Sequence, residues 1–276
     1  MLNLVSDSSC DLFSGEVLSP CARLTVVPMC LRVGDRDYPD TPELNIPELL
    51  EGLAQHPSSS ACPSPAAFAE AFEQGDETIC VTISSNLSGT YNAAMAARSL
   101  VLSEHPEKKI HILDSRSTAG AMILLLRKAA ALAEEHLPFD ALCERLESYR
   151  TSLRTCFTLE NFDNLIKNGR MAPIAGALLQ TLGIHIVADA TPEGTIHVAK
   201  KARGEAHTFR AIAQLMAEAK ECANSRVILC HCQNPAGAER LRDVIQSRLH
   251  TASVEIRPCH GLTSFYAMDK GLIICY

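Results

Sequence analysis

The sequence predicts an α/β protein in two domains, residues 1–155 and 156–276, each built on a largely parallel sheet. Three observations carry this. Short apolar runs rich in Val, Ile and Thr alternate with Ala- and Leu-rich stretches of helical period, the mark of strand–helix–strand units. The 276-residue chain is 47% hydrophobic, which supplies a core and leaves room for more than one domain. Near residue 155 the rhythm changes, and a hairpin enters the pattern.

The elements follow in order. LNLVSDSS reads as a buried first strand ending in a polar turn. RLTVVPMCLRV is a second β-rich run. TPELNIPELLEGLAQH has Thr41 as a candidate N-cap with Pro42 behind it, and Pro47 starts the helix proper, since proline suits a first helical position. TICVTISS is a third strand and GTYNAAMAARSLVLSEH a helix. KIHILDS is a fourth strand. STAGAMILLLRKAAALAEEH is a long helix opened by Ser117 or Thr118 and broken at Leu137-Pro138, and PFDALCERLESYRTSL is the next helix. Beyond the boundary come strand RTCFTLE, helix NFDNLIKNGRM closed by Asn168-Gly169, and helix PIAGALLQTLG closed by Gly183. IHIVADATPEGTIHVAKKA is a hairpin turning at Pro192-Glu193-Gly194. Helix EAHTFRAIAQLMAEAKECA, strand RVILCHC, helix PAGAERLRDVIQSRLH, strand SVEIRPCH and a final apolar LIICY complete the chain.

Composition excludes several functions. The formal net charge is −7, whereas a nucleic-acid surface wants a basic excess. The start, MLNLVSDSSCDL, lacks the basic region of a signal peptide. The most apolar segment, Ala119 to Leu126, is far shorter than the roughly 20 residues of a spanning helix, so a cytoplasmic protein is expected. Twelve cysteines are scattered without a CxxC pair. Cys230-His231-Cys232 and Cys259-His260 come nearest to a metal pattern, but zinc ligands are usually spaced more widely. Buried reduced thiols are expected, with no metal and no cofactor.

Small polar residues recur at strand ends, where open α/β sheets bind ligands: Ser6-Asp7-Ser8-Ser9, Ser84-Ser85-Asn86 and Asp114-Ser115, with a further cluster in the loop HPSSSACPSP. SSNLSGTY has the makings of an anion site. Ser88 and Thr90 offer hydroxyls, Gly89 lets a ligand approach the backbone, and the following helix presents free N–H groups and its positive end. Taken alone, this stretch reads more simply as a plain N-cap by Ser or Asn; the several clusters together favour a site. As a nucleophile elbow it lacks the first glycine of GxSxG; a serine hydrolase would use Ser88 with His260 as the base. There is no Walker loop, GxGxxG or HExxH.

The blocks VSDSSCDL, PSSSACPSPAAFAEAFE, ISSNLSGTYNAA, ILDSRSTAG, LENFDNLIKNGRM and KKARG, in that order, resemble DegV-like proteins, the fatty-acid-binding subunits of bacterial fatty acid kinase. The likeness covers essentially the whole chain. It implies a two-domain α/β protein with a lipid tunnel between or within the domains, enclosing one long-chain fatty acid as ligand. A separate kinase subunit is the implied partner and phosphorylates the acyl carboxylate; transient membrane contact fits the same role, and nucleic acid does not. Ser60 stands where the family has a carboxylate-contacting threonine, while Ala61 and Cys62 depart from its Thr-Ser-Gln-Pro-Ser-Pro loop. His260 stands in the region of the family's His-Thr-Gly-Pro-Gly block. Asn168-Gly169-Arg170 resembles its Gly-Gly-Arg, which implies that Arg170 lies near the head group; a helix C-cap followed by a solvated charge reads equally well.

The chemistry of a fatty acid fits these residues. At about 0.8 kcal/mol per buried methylene, a sixteen-carbon tail gains roughly 12 kcal/mol before entropy costs. AGAMILLLRKAAALA and PIAGALLQTLGIHIV can line the channel, or be ordinary core. The carboxylate must be hydrogen-bonded when it leaves water, and Ser60, Ser85, Ser88, the amides near Gly89, and His260 are the expected donors. Lys200-Lys201-Ala202-Arg203 is a basic patch in an acidic chain; with Arg170, Arg203 is expected to meet the partner or a phosphate, though a solvated hairpin edge has the same look. The alternatives to a carrier are the Ser88/His260 acyl hydrolase and a sensor of another anionic small molecule.

Overall fold

The computed structural model describes residues 1–172, 183–219, 225–249 and 253–276. The predicted helix PIAGALLQTLG, and the end of EAHTFRAIAQLMAEAKECA, lie outside the described residues. Along the chain run β1 (Leu2–Asp7), β2 (Ala22–Val27), β3 (Cys30–Val33), β4 (Arg36–Pro39), α1 (Ile46–Gln55), β5 (Ser58–Ala61), α2 (Pro65–Glu73), β6 (Glu77–Thr82), α3 (Thr90–Glu104), β7 (Lys109–Asp114), α4 (Gly120–Glu134), α5 (Phe139–Ser152), β8 (Thr155–Thr158), α6 (Asp163–Lys167), β9 (Ile184–Ala190), β10 (Ile196–Arg203), α7 (Glu205–Glu218), β11 (Arg226–His231), α8 (Pro235–Arg248), β12 (Ser253–Pro258), α9 (Gly261–Ala267) and β13 (Leu272–Cys275).

The first sheet, in the order β2-β1-β6-β7, is parallel throughout. All six residues of β1 are buried, because helices cover both faces, as parallel sheets require. Val5 packs with Phe68, Phe72, Ala94 and Ala97 on the side of α2 and α3. Leu2 and Leu4 pack on the other side, in the cluster that contains α4.

The second sheet, β10-β9-β8-β13-β11-β12, departs from the parallel pairing expected: β11 and β12 are parallel, and its other pairs are antiparallel. Both faces are again covered. Val227, Leu229, Leu272 and Ile274 pack towards α7 and α8, and Ile228, Cys230, Ile273 and Cys275 join the cluster of α4. α4 therefore lies between the two sheets, contacting β1 and β6 of one and β11 and β13 of the other. This accounts for its composition: a helix that is apolar all round is a buried one, and Gly120 through Leu126 are all buried.

Local chemistry corrects four expectations. RLTVVPMCLRV is two strands in two sheets. Pro28 cannot donate to a ladder, the chain leaves the parallel sheet there, and β3 joins a three-stranded sheet in the order β4-β3-β5. α1 is capped by Asn45, whose side chain accepts from Glu48 N, with Pro47 in its first turn as expected; Thr41 and Pro42 lie in the turn before it. α4 is opened by Ala119 at φ 51°, not by Ser117 or Thr118, and Ala119 N donates to Ser9 O at 2.8 Å. Strands β4 and β5 and helices α2 and α9 had no counterpart among the elements read from the sequence.

Candidate ligand-binding cavity

A cavity opens where the ends of β6 and β7, strand β8, helix α9 and the β9–β10 hairpin meet. Its empty volume, with the open solvent at its mouth included, is ≈ 810 Å³. Met29, Ile83, Phe157, Leu159, Leu262 and Ile273 supply apolar wall.

Part of the polar lining gathers at one group, and Arg116, Ser117, Thr118, Thr155, Thr195 and Thr263 line the cavity elsewhere. The Ser60 hydroxyl, on β5, lies 2.8 Å from the Tyr266 hydroxyl on α9. The Arg170 guanidinium carbon lies 5.7 Å from the centroid of the Tyr266 ring, and Nε donates to Leu87 O at 3.0 Å. Burial raises the Tyr266 phenol above its ordinary value, opposed by the Ser60 hydrogen bond, so it remains a neutral donor at physiological pH. Ser88 also lines the cavity, its Oγ 2.8 Å from Thr90 Oγ1. The N-cap of α3 is Gly89, which provides no side-chain acceptor. Ser88 Oγ accepts from Thr90 N at 3.4 Å, and the other first-turn amides of α3 beside Ser88 remain for an anion.

The sequence-predicted residues therefore divide. Ser60, Ser88 and Arg170 line the cavity, and Gly89 caps the helix beside it. Ser85 is exposed, and its hydroxyl donates to Asp114 Oδ2 at 2.6 Å. His260 lies outside the lining residues. Its Nδ1 is 2.8 Å from Asp40 Oδ1, its backbone N donates to Asp11 Oδ1, and its ring stands edge-on to Phe13. Arg203 is exposed beside a surface groove with Lys200, Lys201, His207, Arg210 and Arg248.

The strand-end serines thus serve three ends. Ser88 meets the cavity. Ser84 and Asn86 hold the hairpin across it: Ser84 Oγ donates to Gly194 O at 2.7 Å and Asn86 Nδ2 to Glu193 O at 2.6 Å. Arg116 Nη1 joins them through Pro192 O at 3.1 Å. The Ser6–Ser9 turn belongs to a buried carboxylate cluster. Asp7 accepts from the N and Oγ of Ser9 and from Ile83 N. Asp40 Oδ2 accepts from Ser8 Oγ and Leu262 N, each at 2.8 Å. Burial pushes Asp7 up to about 6 and Asp11 up to about 7. Gly261 follows His260 because a Cβ there would collide with the Asp40 carboxylate.

Sequence reasoning missed Tyr266, Asp40 and the hairpin anchors. Ser60 and Tyr266 are 206 positions apart, and no local spacing signals such a pair. Among the described residues no group of three or more His, Cys, Asp or Glu could hold a metal ion. Cys230 and Cys259 are buried thiols raised well above their ordinary value by desolvation. No helix of the described residues is long and apolar enough to cross a membrane.

An α/β protein of two larger sheets and a small one, with an apolar chamber lined also by hydroxyls and arginines, belongs to the class of small-ligand binders. The chain belongs to the DegV family: the family model described as "Uncharacterised protein, DegV family" matches residues 1–272. A DegV domain-containing protein of Streptococcus gordonii is 34% identical over 275 residues, 99% of this chain and 98% of that one. The crystal structure of a DegV family protein from Eubacterium eligens loaded with heptadecanoic acid is similar at a TM-score of 0.93 and 31% identity, covering 100% of this chain and 99% of that chain. The Streptococcus pneumoniae fatty acid kinase (Fak) B3 protein loaded with linoleic acid matches at a TM-score of 0.94 and 31% identity over the same shares.

Proposed function

We propose that this protein binds one long-chain fatty acid, shields its acyl chain in the cavity and presents the carboxyl group to a separate kinase subunit. The observation that carries the reading is the apolar cavity ending at Ser60, Tyr266, Ser88 and Arg170. The fatty acids in the Eubacterium and Streptococcus proteins, both 31% identical to this chain, support it. Neutral hydroxyls and the Arg170 guanidinium at this group suit a carboxylate, which must exchange water for donors as it enters. The amides at the start of α3 add to them. In this reading the protein is a carrier without catalysis or cofactor, works in the cytoplasm, touches membranes transiently, and meets its kinase through the basic groove of Lys200, Lys201 and Arg203.

The hydrolase alternative needs Ser88 against His260. Ser88 Oγ is hydrogen-bonded to Thr90 Oγ1, and the His260 ring to Asp40, so the carrier reading is preferred. Native mass spectrometry of the purified protein tests it. The expected result is one fatty acid per chain, exchangeable for palmitate or oleate. Ser60→Ala or Tyr266→Phe should weaken binding about tenfold, the value of a hydrogen bond to a charged group. Absence of co-purified acid together with no binding of either added acid would refute the carrier; stoichiometric fluorophosphonate labelling of Ser88 would favour the hydrolase.

A further inference from the structure

The wall of the acyl cavity is interrupted by a pair of hydroxyls. Ser117, in the turn between β7 and α4, and Thr155, at the start of β8, both line the cavity. Their hydroxyl oxygens lie 2.7 Å apart, and both residues are buried. Strand alternation places the pair on the cavity side of the second sheet. Thr155 and Phe157 are two positions apart on β8 and both line the cavity, while Cys156 between them packs into the cluster on the opposite face. The surroundings on the cavity face are apolar: Phe157 is the register partner of Ile273 on β13, and both are wall residues. The pair comes from different elements than the head-group residues. Ser60 stands on β5, Tyr266 on α9, Ser88 before α3 and Arg170 after α6.

Two hydroxyls carry two protons and four lone pairs. One proton closes the contact between them. Thr155 Oγ1 also reaches Cys275 Sγ at 3.5 Å, but a thiol sulfur is a weak acceptor. When Ser117 donates to Thr155, Ser117 keeps its own lone pairs; when Thr155 donates to Ser117, the Ser117 proton is left to give. A ligand hydroxyl answers both arrangements, because it donates and accepts. Alanine and valine at these two positions would have completed an apolar wall. A plain methylene chain passing the pair makes no use of it, whereas a chain hydroxyl set against it exchanges water for a partner.

We propose that Ser117 and Thr155 form a second polar subsite of the acyl cavity, which takes the hydroxyl of a hydroxylated fatty acid chain. This rests on the fatty-acid reading and narrows its ligand. Calorimetric titration of the full, delipidated chain tests it. The probes are octadecanoic acid and a series of hydroxyoctadecanoic acids that moves the hydroxyl along the chain towards the methyl end. A hydroxyl buried against apolar wall without a partner weakens binding about tenfold or more. Most of the series is expected to fall below octadecanoic acid by that factor, while the isomers whose hydroxyl reaches Ser117 and Thr155 bind at least as tightly as octadecanoic acid. In the double variant Ser117→Ala, Thr155→Val those isomers drop about tenfold relative to octadecanoic acid. Thr155→Ser, which keeps both hydroxyls, retains the preference. The readout is the ratio of the two affinities within one protein, which a general loss of stability or of binding does not imitate, and the wild-type series decides even if the double variant fails to fold. The proposal is overturned if every hydroxylated isomer binds about tenfold or more below octadecanoic acid, or if the favoured isomers keep their ratio in the double variant. Octadecanoic acid itself reports on the carrier reading: if it and the whole series fail to bind the wild-type chain, that reading falls, whereas binding of octadecanoic acid with no favoured isomer removes only the subsite.

Discussion

Asp11 is fully buried in a left-handed turn at φ 53°, and its Oδ2 has no hydrogen-bond partner among the described residues. Burial is the main reason its carboxyl rises from 3.8 to about 7, opposed by the hydrogen bond from His260 N. Asp7, also buried, rises to about 6. Between the ordinary value and these raised ones, the folded protein holds protons that the unfolded chain has released. Stability from these groups is therefore greatest at low pH and declines as pH rises through that window. Asparagine tolerates the left-handed turn, keeps an acceptor for His260 N and cannot ionise. Asp11→Asn should therefore flatten the fall in stability between roughly pH 4 and pH 7, by an amount on the order of 1–3 kcal/mol at the upper end. Thermal melts across that range check it; parallel curves for the two proteins would contradict it. At this scale the sequence was half legible. Ser60, Ser88 and Arg170 are marked by motifs and reach the cavity. His260 carries an equally strong signal, yet it is tied to Asp40, 220 positions away, a contact no local pattern encodes.

The β9–β10 hairpin illustrates the element scale. Its turn at Pro192-Glu193-Gly194 was readable from composition, because Gly194 adopts φ 82°, a region that favours glycine. What it covers was not readable. Three anchors from the strand ends of the first sheet, Ser84, Asn86 and Arg116, hold the turn, while Gly194, Thr195 and Ile196 line the cavity. A Cβ on Gly194 would collide with Ser84 Oγ and come within 2.8 Å of Arg116 Cα. Gly194→Ala combines backbone strain with a broken anchor, at a cost of about 1–3 kcal/mol. The expected outcome is faster release of bound fatty acid, measured by exchange into vesicles; an unchanged rate would show that the ligand leaves by another route. Elsewhere the alternation of strand and helix predicted the parallel first sheet well. It did not predict the antiparallel pairs of the second. A strand buried on both faces loses its period-two signature whichever way its neighbour runs. Helix α9 was missed because GLTSFYA is short and rich in residues that also favour strands.

For the whole molecule, the boundary near residue 155 remains our reading of two domains, and the two larger sheets do divide there. The apolar core does not divide as cleanly. One buried cluster runs from Leu2 and Leu4 of the first sheet through α4 to Ile273 and Cys275 of the second, and the cavity draws its wall from both sides of the boundary. Separating the halves would expose the apolar faces of α4, so a single cooperative transition is expected. A ligand that binds only the folded chain stabilises it by mass action, by about 2.7 kcal/mol at a free concentration one hundred times its Kd. At about 2–4 °C per kcal/mol for a chain of comparable size, palmitate added to delipidated protein should raise Tm by roughly 5–10 °C. Because wall residues from both halves enclose the chain, the whole transition should move as one. Differential scanning calorimetry with and without palmitate tests this. Two transitions, with only one displaced by the ligand, would show that the halves melt independently and that one of them holds the acid alone.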